Sequence, residues 1–242
     1  MNVALFTGIR ELEICERSRP VLERSGDVLL RIETVGVCGS DIHYYTKGRI
    51  GDQLIDHPAT LGHECAGTVM EICPTVGGLK AGQRVAVDPA ISCGQCDQCR
   101  KGRAHTCRNL QFLGCPGQAP GAVAEYITIA AQSCYPVPDS MTMVQAALVE
   151  PLSVAIHSQR LAGMQSGGTV GILGAGPIGL SVLLAVGALC PSRTFVTDLL
   201  DERLGLARRC SADWTGVPTR ADVVKAILKE EPDGLDCVFE CA

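Results

Sequence analysis

Residues 170–190, "VGILGAGPIGLSVLLAVGALC", carry no charge over 21 positions. A helix of that length can cross a bilayer. The internal glycines and Pro177 argue for a different object. "GAGPIG", Gly174 to Gly179, has the form G-x-G-x-x-G, with a strand pattern before it (169–173) and a helix pattern after it to about Leu189. In that setting Gly174 permits a tight turn, Gly176 lets backbone approach a pyrophosphate, and Gly179 lets helix and strand pack closely. Pro177 suits the first helical turn, where its missing donor matters little. Backbone N–H groups at the helix start would then hold phosphates. The apolar run therefore reads as a buried strand, turn and helix.

The next strand pattern, 194–197, ends at Asp198, 19 residues beyond Gly179. An acid there can accept from both hydroxyls of an adenosine ribose and would repel a 2′-phosphate, which favours NAD over NADP. Asp198 also precedes a helix pattern, so a capping role is the alternative.

Outward from this turn the chain has two textures. Residues 1–155 hold short β-like runs between glycine and proline breaks: "DVLLRIETVGV", "CAGTVMEI", "QRVAVDP" and "VAEYITI". Residues 156–242 alternate strand patterns with helical ones ("DERLGLARRC", "RADVVKAILKE"), which argues for a parallel sheet covered by helices. A helix over 152–163 is expected to join them. About four strands fit between Gly168 and Ala242, where a dinucleotide-binding sheet usually has six. The expectation is a C-terminally truncated chain with an incomplete doubly wound sheet.

Composition sets the outer bounds. The chain has 242 residues, 46% hydrophobic and 19% charged, with a net charge of −5. It reads as globular, with no basic field for nucleic acid or an anionic membrane. The N-terminus lacks a basic segment followed by an apolar one, so no secretory leader is expected and the cytoplasm is the default location. In that setting the 14 cysteines suggest metal ligands and small core residues more than disulfides.

Two constellations carry metal chemistry. "SCGQCDQCRKGRAHTC" spaces Cys93, Cys96, Cys99 and Cys107 as C-x2-C-x2-C-x7-C. Four thiolates complete a tetrahedral zinc and leave no position for substrate, so a structural staple is expected; a redox switch is the alternative. The second set is quieter. Cys38 in "GVCGSDIHYYTKG" and His63 and Glu64 in "LGHECAG" form a three-ligand group that leaves a fourth zinc position open, the form of a catalytic site. Asp41 could accept the second ring N–H of a ligand histidine. Ser40 could hydrogen-bond an alcohol at the metal, and His43 could pass its proton outward. The plain alternative makes Cys38 and Cys65 core residues and His63 a satisfied polar group.

The motifs "CGSDIH", "GHE", "CGQCDQCRKGRAHTC", "EPLSVAIH" and "GAGPIG", in this order, resemble the zinc-dependent medium-chain dehydrogenase/reductase family over essentially the whole chain. "CGSDIHYYTKGRIGD" and "EPLSVAIHS" are most similar to its sorbitol, xylitol and L-iditol dehydrogenase branch. The resemblance implies an α/β protein: an N-terminal β-rich GroES-like catalytic domain over 1–155, then the N-terminal part of a Rossmann NAD-binding domain over 156–242. It implies Cys38, His63 and Glu64 as ligands of a catalytic zinc, with Glu150 a further candidate, as a ligand or through a water. The four-cysteine site would hold a structural zinc. Ser40 and His43 resemble the proton-relay pair and Tyr44 a substrate-facing aromatic. Ile178, Asp198 and Arg203 resemble cofactor contacts. The implied reaction moves hydride from a secondary alcohol of a polyol to NAD+, giving a ketose. A zinc alcohol or threonine dehydrogenase is the alternative enzyme, and a non-catalytic zinc- and nucleotide-binding relative the alternative class. The implied partners are a small polyol or alcohol and, for a full-length chain, copies of itself as a dimer or tetramer; no nucleic acid or membrane partner is expected.

Overall fold

The computed structural model describes residues 1–242. The chain divides into two compact units, Met1–Glu150 and Pro151–Ala242.

The first unit is built from short strands: β1 (Asn2–Gly8), β2 (Glu11–Glu16), β3 (Asp27–Gly36), then helix α1 (Gly39–Lys47), β4 (Arg49–Ile50), β5 (Gln53–Leu54), β6 (Glu64–Ile72), β7 (Arg84–Val87) and β8 (Ala90–Ile91). The one-turn helix α2 (Asp97–Arg100), β9 (Gln111–Phe112), β10 (Tyr126–Ala130), β11 (Cys134–Pro136) and α3 (Met143–Ala147) complete it. The main sheet runs β10-β3-β6-β7-β11, antiparallel throughout. Its core gathers Val28, Leu30, Val69, Val85 and Val87 with Cys65 and Cys134. Burial pushes the Cys65 and Cys134 thiols up to about 12, so both behave as inert apolar side chains. All fourteen cysteines are free of disulfides.

Helix α4 (Val149–Ala162) carries the chain into the second unit, beginning three residues before the sequence pattern suggests. The division between units falls inside it, at Glu150/Pro151, against 155 from the change of pattern. There β12 (Thr169–Leu173), α5 (Pro177–Leu189), β13 (Arg193–Thr197), α6 (Asp201–Arg209), β14 (Trp214–Gly216), α7 (Val223–Glu230) and β15 (Cys237–Glu240) alternate. The four strands pair in parallel in the order β14-β13-β12-β15. The chain therefore starts at an inner strand, proceeds to one edge, then crosses to the other side of β12. That reversal is a topological switch point, where open parallel sheets hold ligands at the carboxyl ends of their strands. Val170, Ile172, Val182, Val186, Val196 and Leu204 fill the core beneath. The uncharged run 170–190 is divided between β12 and a 13-residue helix, and no helix is long and apolar enough to cross a membrane.

Two matching latches fix the register of this sheet. The Asp236 carboxylate accepts from both the backbone N–H (2.7 Å) and the hydroxyl (3.0 Å) of Thr169, whose oxygen accepts the Asp236 N–H in return (3.1 Å). Asp213 and Thr194 repeat the arrangement at 2.8, 2.9 and 3.1 Å. Each latch sits one residue before the first aligned pair, Val170 with Cys237 and Phe195 with Trp214.

Candidate active site

Cys38, His63 and Glu64 come together in the first unit, with their ligand atoms within 4.8 Å of one another. Cys38 caps the N-terminus of α1, in extended conformation with φ −77° and ψ 156°. His63 ends the loop before β6, and Glu64 is the first residue of that strand. The loop is held by close glycine packing. Gly62 adopts φ +91°, and a Cβ on Gly114 (φ +71°) would stand 2.7 Å from the Gly62 carbonyl oxygen. Gly36 faces Glu64 across β3 and β6, and a Cβ there would lie 2.9 Å from the Glu64 Cβ and collide with its carboxylate. Glycine at 36 thus makes the space that Glu64 occupies.

Asp41 ties the two ligand-bearing segments together. One carboxylate oxygen accepts the Cys38 N–H at 3.0 Å, and the other the Gly62 N–H at 3.2 Å. The nearest His63 ring nitrogen is 4.0 Å away, an ion-pair distance beyond hydrogen bonding. The sequence reading of Asp41 as acceptor for the ring N–H is corrected accordingly: in this structure the carboxylate is committed to backbone amides. The His63 ring instead packs edge-on against Phe112 at 5.3 Å.

The electrostatics follow from crowding. A hydrogen bond from His63 lowers the Cys38 thiol, against burial and with help from Ser40. Burial opposes a charged His63, but Cys38 and Asp41 outweigh it and raise the imidazole. Burial raises Glu64, with His63 opposing. Glu150, at the start of α4, is raised by burial; His63 opposes this, while Glu64 and Asp88 add to it. Glu150 is thus felt by the group, but its oxygens are not among the clustered atoms. A thiol, an imidazole and a carboxylate that share one small space and lean on each other for charge suit a borderline-soft cation such as zinc.

Ser40 hydrogen-bonds Cys38, and His43 lies exposed one turn further along α1. Tyr44 departs from the reading as a substrate-facing aromatic. It is 4% exposed and packs with Phe6, Ile55 and Leu61, and its hydroxyl donates to Gln53 at 2.9 Å. The apolar environment of α1 has claimed the ring.

The four-cysteine group is separate. Sγ atoms of Cys96 and Cys99 lie 3.5 Å apart, Cys96 and Cys107 3.9 Å, and Cys93 and Cys99 4.0 Å. Sulfurs on a tetrahedral zinc would be ~3.8 Å apart, given Zn–S bonds of ~2.3 Å. Amide N–H groups of Cys93 and Asn109 donate to the Cys107 sulfur at 3.3 and 3.4 Å. The lobe buries no large apolar side chain, and an exposed pair of bonds from Arg108 to Asp97 closes it.

In the second unit Gly174 adopts φ +94°, and a Cβ there would stand 2.7 Å from the Cys241 carbonyl oxygen. A Cβ on Gly179 would strike the Gly174 carbonyl. Gly176 caps α5 and opens onto space, where a Cβ would meet only the tip of Arg203, 3.9 Å away. Pro177 is the first residue of α5 and is exposed, with Ile178 half-buried behind it. Asp198 follows β13, with one oxygen accepting the Ala175 N–H at 2.8 Å and the other the Leu200 N–H at 2.9 Å. Arg203 reaches it at 3.5 Å. Burial raises this carboxyl, but the two amides and the guanidinium outweigh it and hold it below the usual aspartate range. Asp198 therefore fixes the glycine turn as well as ending the strand, a role its spacing alone did not reveal.

Comparison with known proteins agrees. The family model for the alcohol dehydrogenase GroES-like domain matches residues 24–139. Sorbitol dehydrogenase of Bacillus subtilis (strain 168) is 38% identical over 244 residues, covering 100% of this chain and 68% of the relative. L-idonate 5-dehydrogenase of Vitis vinifera is 36% identical, covering 98% of this chain and 66% of its own. Among solved structures, a protein of Sinorhizobium meliloti 1021 described as a zinc-binding dehydrogenase bound to NADP superposes with a TM-score of 0.89. It is 32% identical, and the match covers 100% of this chain and 69% of that one. The chain thus spans about two thirds of the length of the relatives it matches. On fold, motifs and relatives together, it belongs to the zinc-dependent medium-chain dehydrogenase/reductase family.

Proposed function

We propose that this chain carries the catalytic and nucleotide-binding parts of an NAD-dependent polyol dehydrogenase. The observation that supports this best is the meeting of Cys38, His63 and Glu64 within 4.8 Å, apart from a second group of four cysteines. Cys38, His63 and Glu64 would hold a catalytic zinc, and Cys93, Cys96, Cys99 and Cys107 a structural one. When bound, zinc supplies Lewis acidity to an alcohol oxygen and NAD+ accepts the hydride. The chain's own part is positioning and proton movement. The Ser40 hydroxyl, beside Cys38, accepts the alcohol proton as it gives up its own toward exposed His43 on the next turn, which releases a proton to solvent. Glu150 is a half-buried carboxyl that feels the charges of His63 and Glu64 and can orient water or accept a proton there. Loss of hydride and proton from a secondary carbinol leaves a ketone.

The glycine turn and the start of α5 would receive the pyrophosphate, and Asp198 the adenosine ribose. Asp198 stands below the usual carboxylate range, which favours the ribose of NAD over a 2′-phosphate. Arg203 beside it could moderate that preference. The 1–155 segment then serves as the catalytic domain and 156–242 as the first part of the NAD-binding domain. A sorbitol-type polyol substrate is supported by the name of the Bacillus subtilis relative, and the wider sorbitol, xylitol and L-iditol range by the "CGSDIHYYTKG" stretch. Appearance of NADH absorbance with polyols, simple alcohols and threonine in turn tests both reaction and substrate class. Turnover of ethanol or threonine with none of any polyol would replace the polyol reading. Metal analysis tests the architecture: two zincs per chain are expected, and a single zinc lost with the four cysteines would leave no catalytic centre.

A further inference from the structure

The side chain of Gln53 spans two segments that brace the Cys38–His63–Glu64 group. Its carbonyl oxygen accepts from the Tyr44 hydroxyl at 2.9 Å. Its amide nitrogen donates to Cys115 Sγ at 2.9 Å and to the Pro116 carbonyl at 3.4 Å. Tyr44 lies on α1, the helix that Cys38 caps. Cys115 and Pro116 follow β9, whose Phe112 packs against His63, in the loop whose Gly114 packs against Gly62. Gln53 itself is placed by a tight hairpin, β4 to β5, with Gly51 at φ +55° in its turn.

We propose that Gln53 is a positioning residue for the metal centre, clasping the helix that presents Cys38 to the loop that braces His63. The inference rests on the reading of Cys38, His63 and Glu64 as metal ligands. The chemistry of the bridge requires a primary amide. It must accept from a buried phenol and donate to a sulfur and a carbonyl at once, which a carboxylate or an apolar side chain cannot do. Without it, the buried Tyr44 hydroxyl keeps only the weakly accepting Cys115 sulfur beside it, and the two braces lose the amide that bonds both.

The test uses the full 242-residue chain, stripped of metal and titrated with cobalt(II). The one-thiolate centre and the four-thiolate site give distinct ligand-field bands. In Gln53→Met the four-thiolate bands should be unchanged, while affinity at the one-thiolate centre falls about tenfold and its bands shift. Gln53→Glu, closer in shape, should behave the same way and serves if the methionine variant does not fold. In a Tyr44→Phe background, Gln53→Met should have far less effect than it has alone, because the clasp acts through that hydroxyl. Unchanged affinity and bands in both Gln53 variants, or equal losses in both backgrounds, would overturn the proposal. A wild-type chain that takes cobalt only at the four thiolates overturns the centre itself; two-site uptake with silent Gln53 variants overturns the clasp alone.

Discussion

Glu64 and Glu150 carry the same group but stand differently toward Cys38 and His63. Glu64 is one of the clustered atoms; Glu150 acts on them from outside the cluster. Glu64→Ala should therefore weaken zinc at this centre by one to two orders of magnitude. Glu150→Ala should leave the stoichiometry at two and reduce turnover instead, which metal analysis beside an NADH assay would separate. Asp198 gives a pH prediction. Its carboxyl is held below the usual aspartate value, so its contribution to stability is full above about pH 4 and is lost as pH falls through the folded value. Asp198→Asn should flatten the acid limb of a melting-temperature profile and loosen NAD. Glu64 and Asp198 are read from ligand type and spacing, and Glu150 only from the family resemblance. Gly36, Gly114, Phe112 and Gln53 are legible in neither, because they act through a partner far away in sequence, and a lone glycine or glutamine carries no periodic signal. The burial of Tyr44 is not legible in its motif, because a motif specifies a position, whereas burial is decided by Phe6, Ile55 and Leu61 around it.

Among the elements, the β3–β6 pair and the cysteine lobe make opposite demands. At Gly36 the pair needs absence of a side chain, since any Cβ meets Glu64. Gly36→Ala should push the carboxylate out of place and cost the catalytic zinc while circular dichroism stays near wild type. The lobe over 93–107 needs a cation, because α2 is a single turn and no apolar core supports it. Cys96→Ser should release one zinc, lower the melting temperature and leave NAD affinity largely intact; a folded variant that no longer binds NAD would contradict this. The strands and helices of the second unit were readable because alternating strand and helix patterns are separated by clear breaks. The register of its sheet was not, since the Thr169–Asp236 and Thr194–Asp213 pairs join residues 67 and 19 positions apart.

At the scale of the whole molecule, the two units have separate hydrophobic cores, and the metal groups and the glycine turn fall on different sides of the division. Chelation should therefore destabilise the first unit while NAD still protects the second, a difference that hydrogen exchange of β12 and β6 amides would reveal. The twin threonine–aspartate latches bear on how such a sheet can change. Both lie where the parallel strands begin, whereas the glycine turn and Asp198 lie where strands end. Alignment is thus anchored at one rim and recognition is built at the other. Insertions, deletions and exchanges in the recognition loops can accumulate without the strands slipping past one another. A designer who wished to alter cofactor choice could work on the ribose loop with the sheet already held in place.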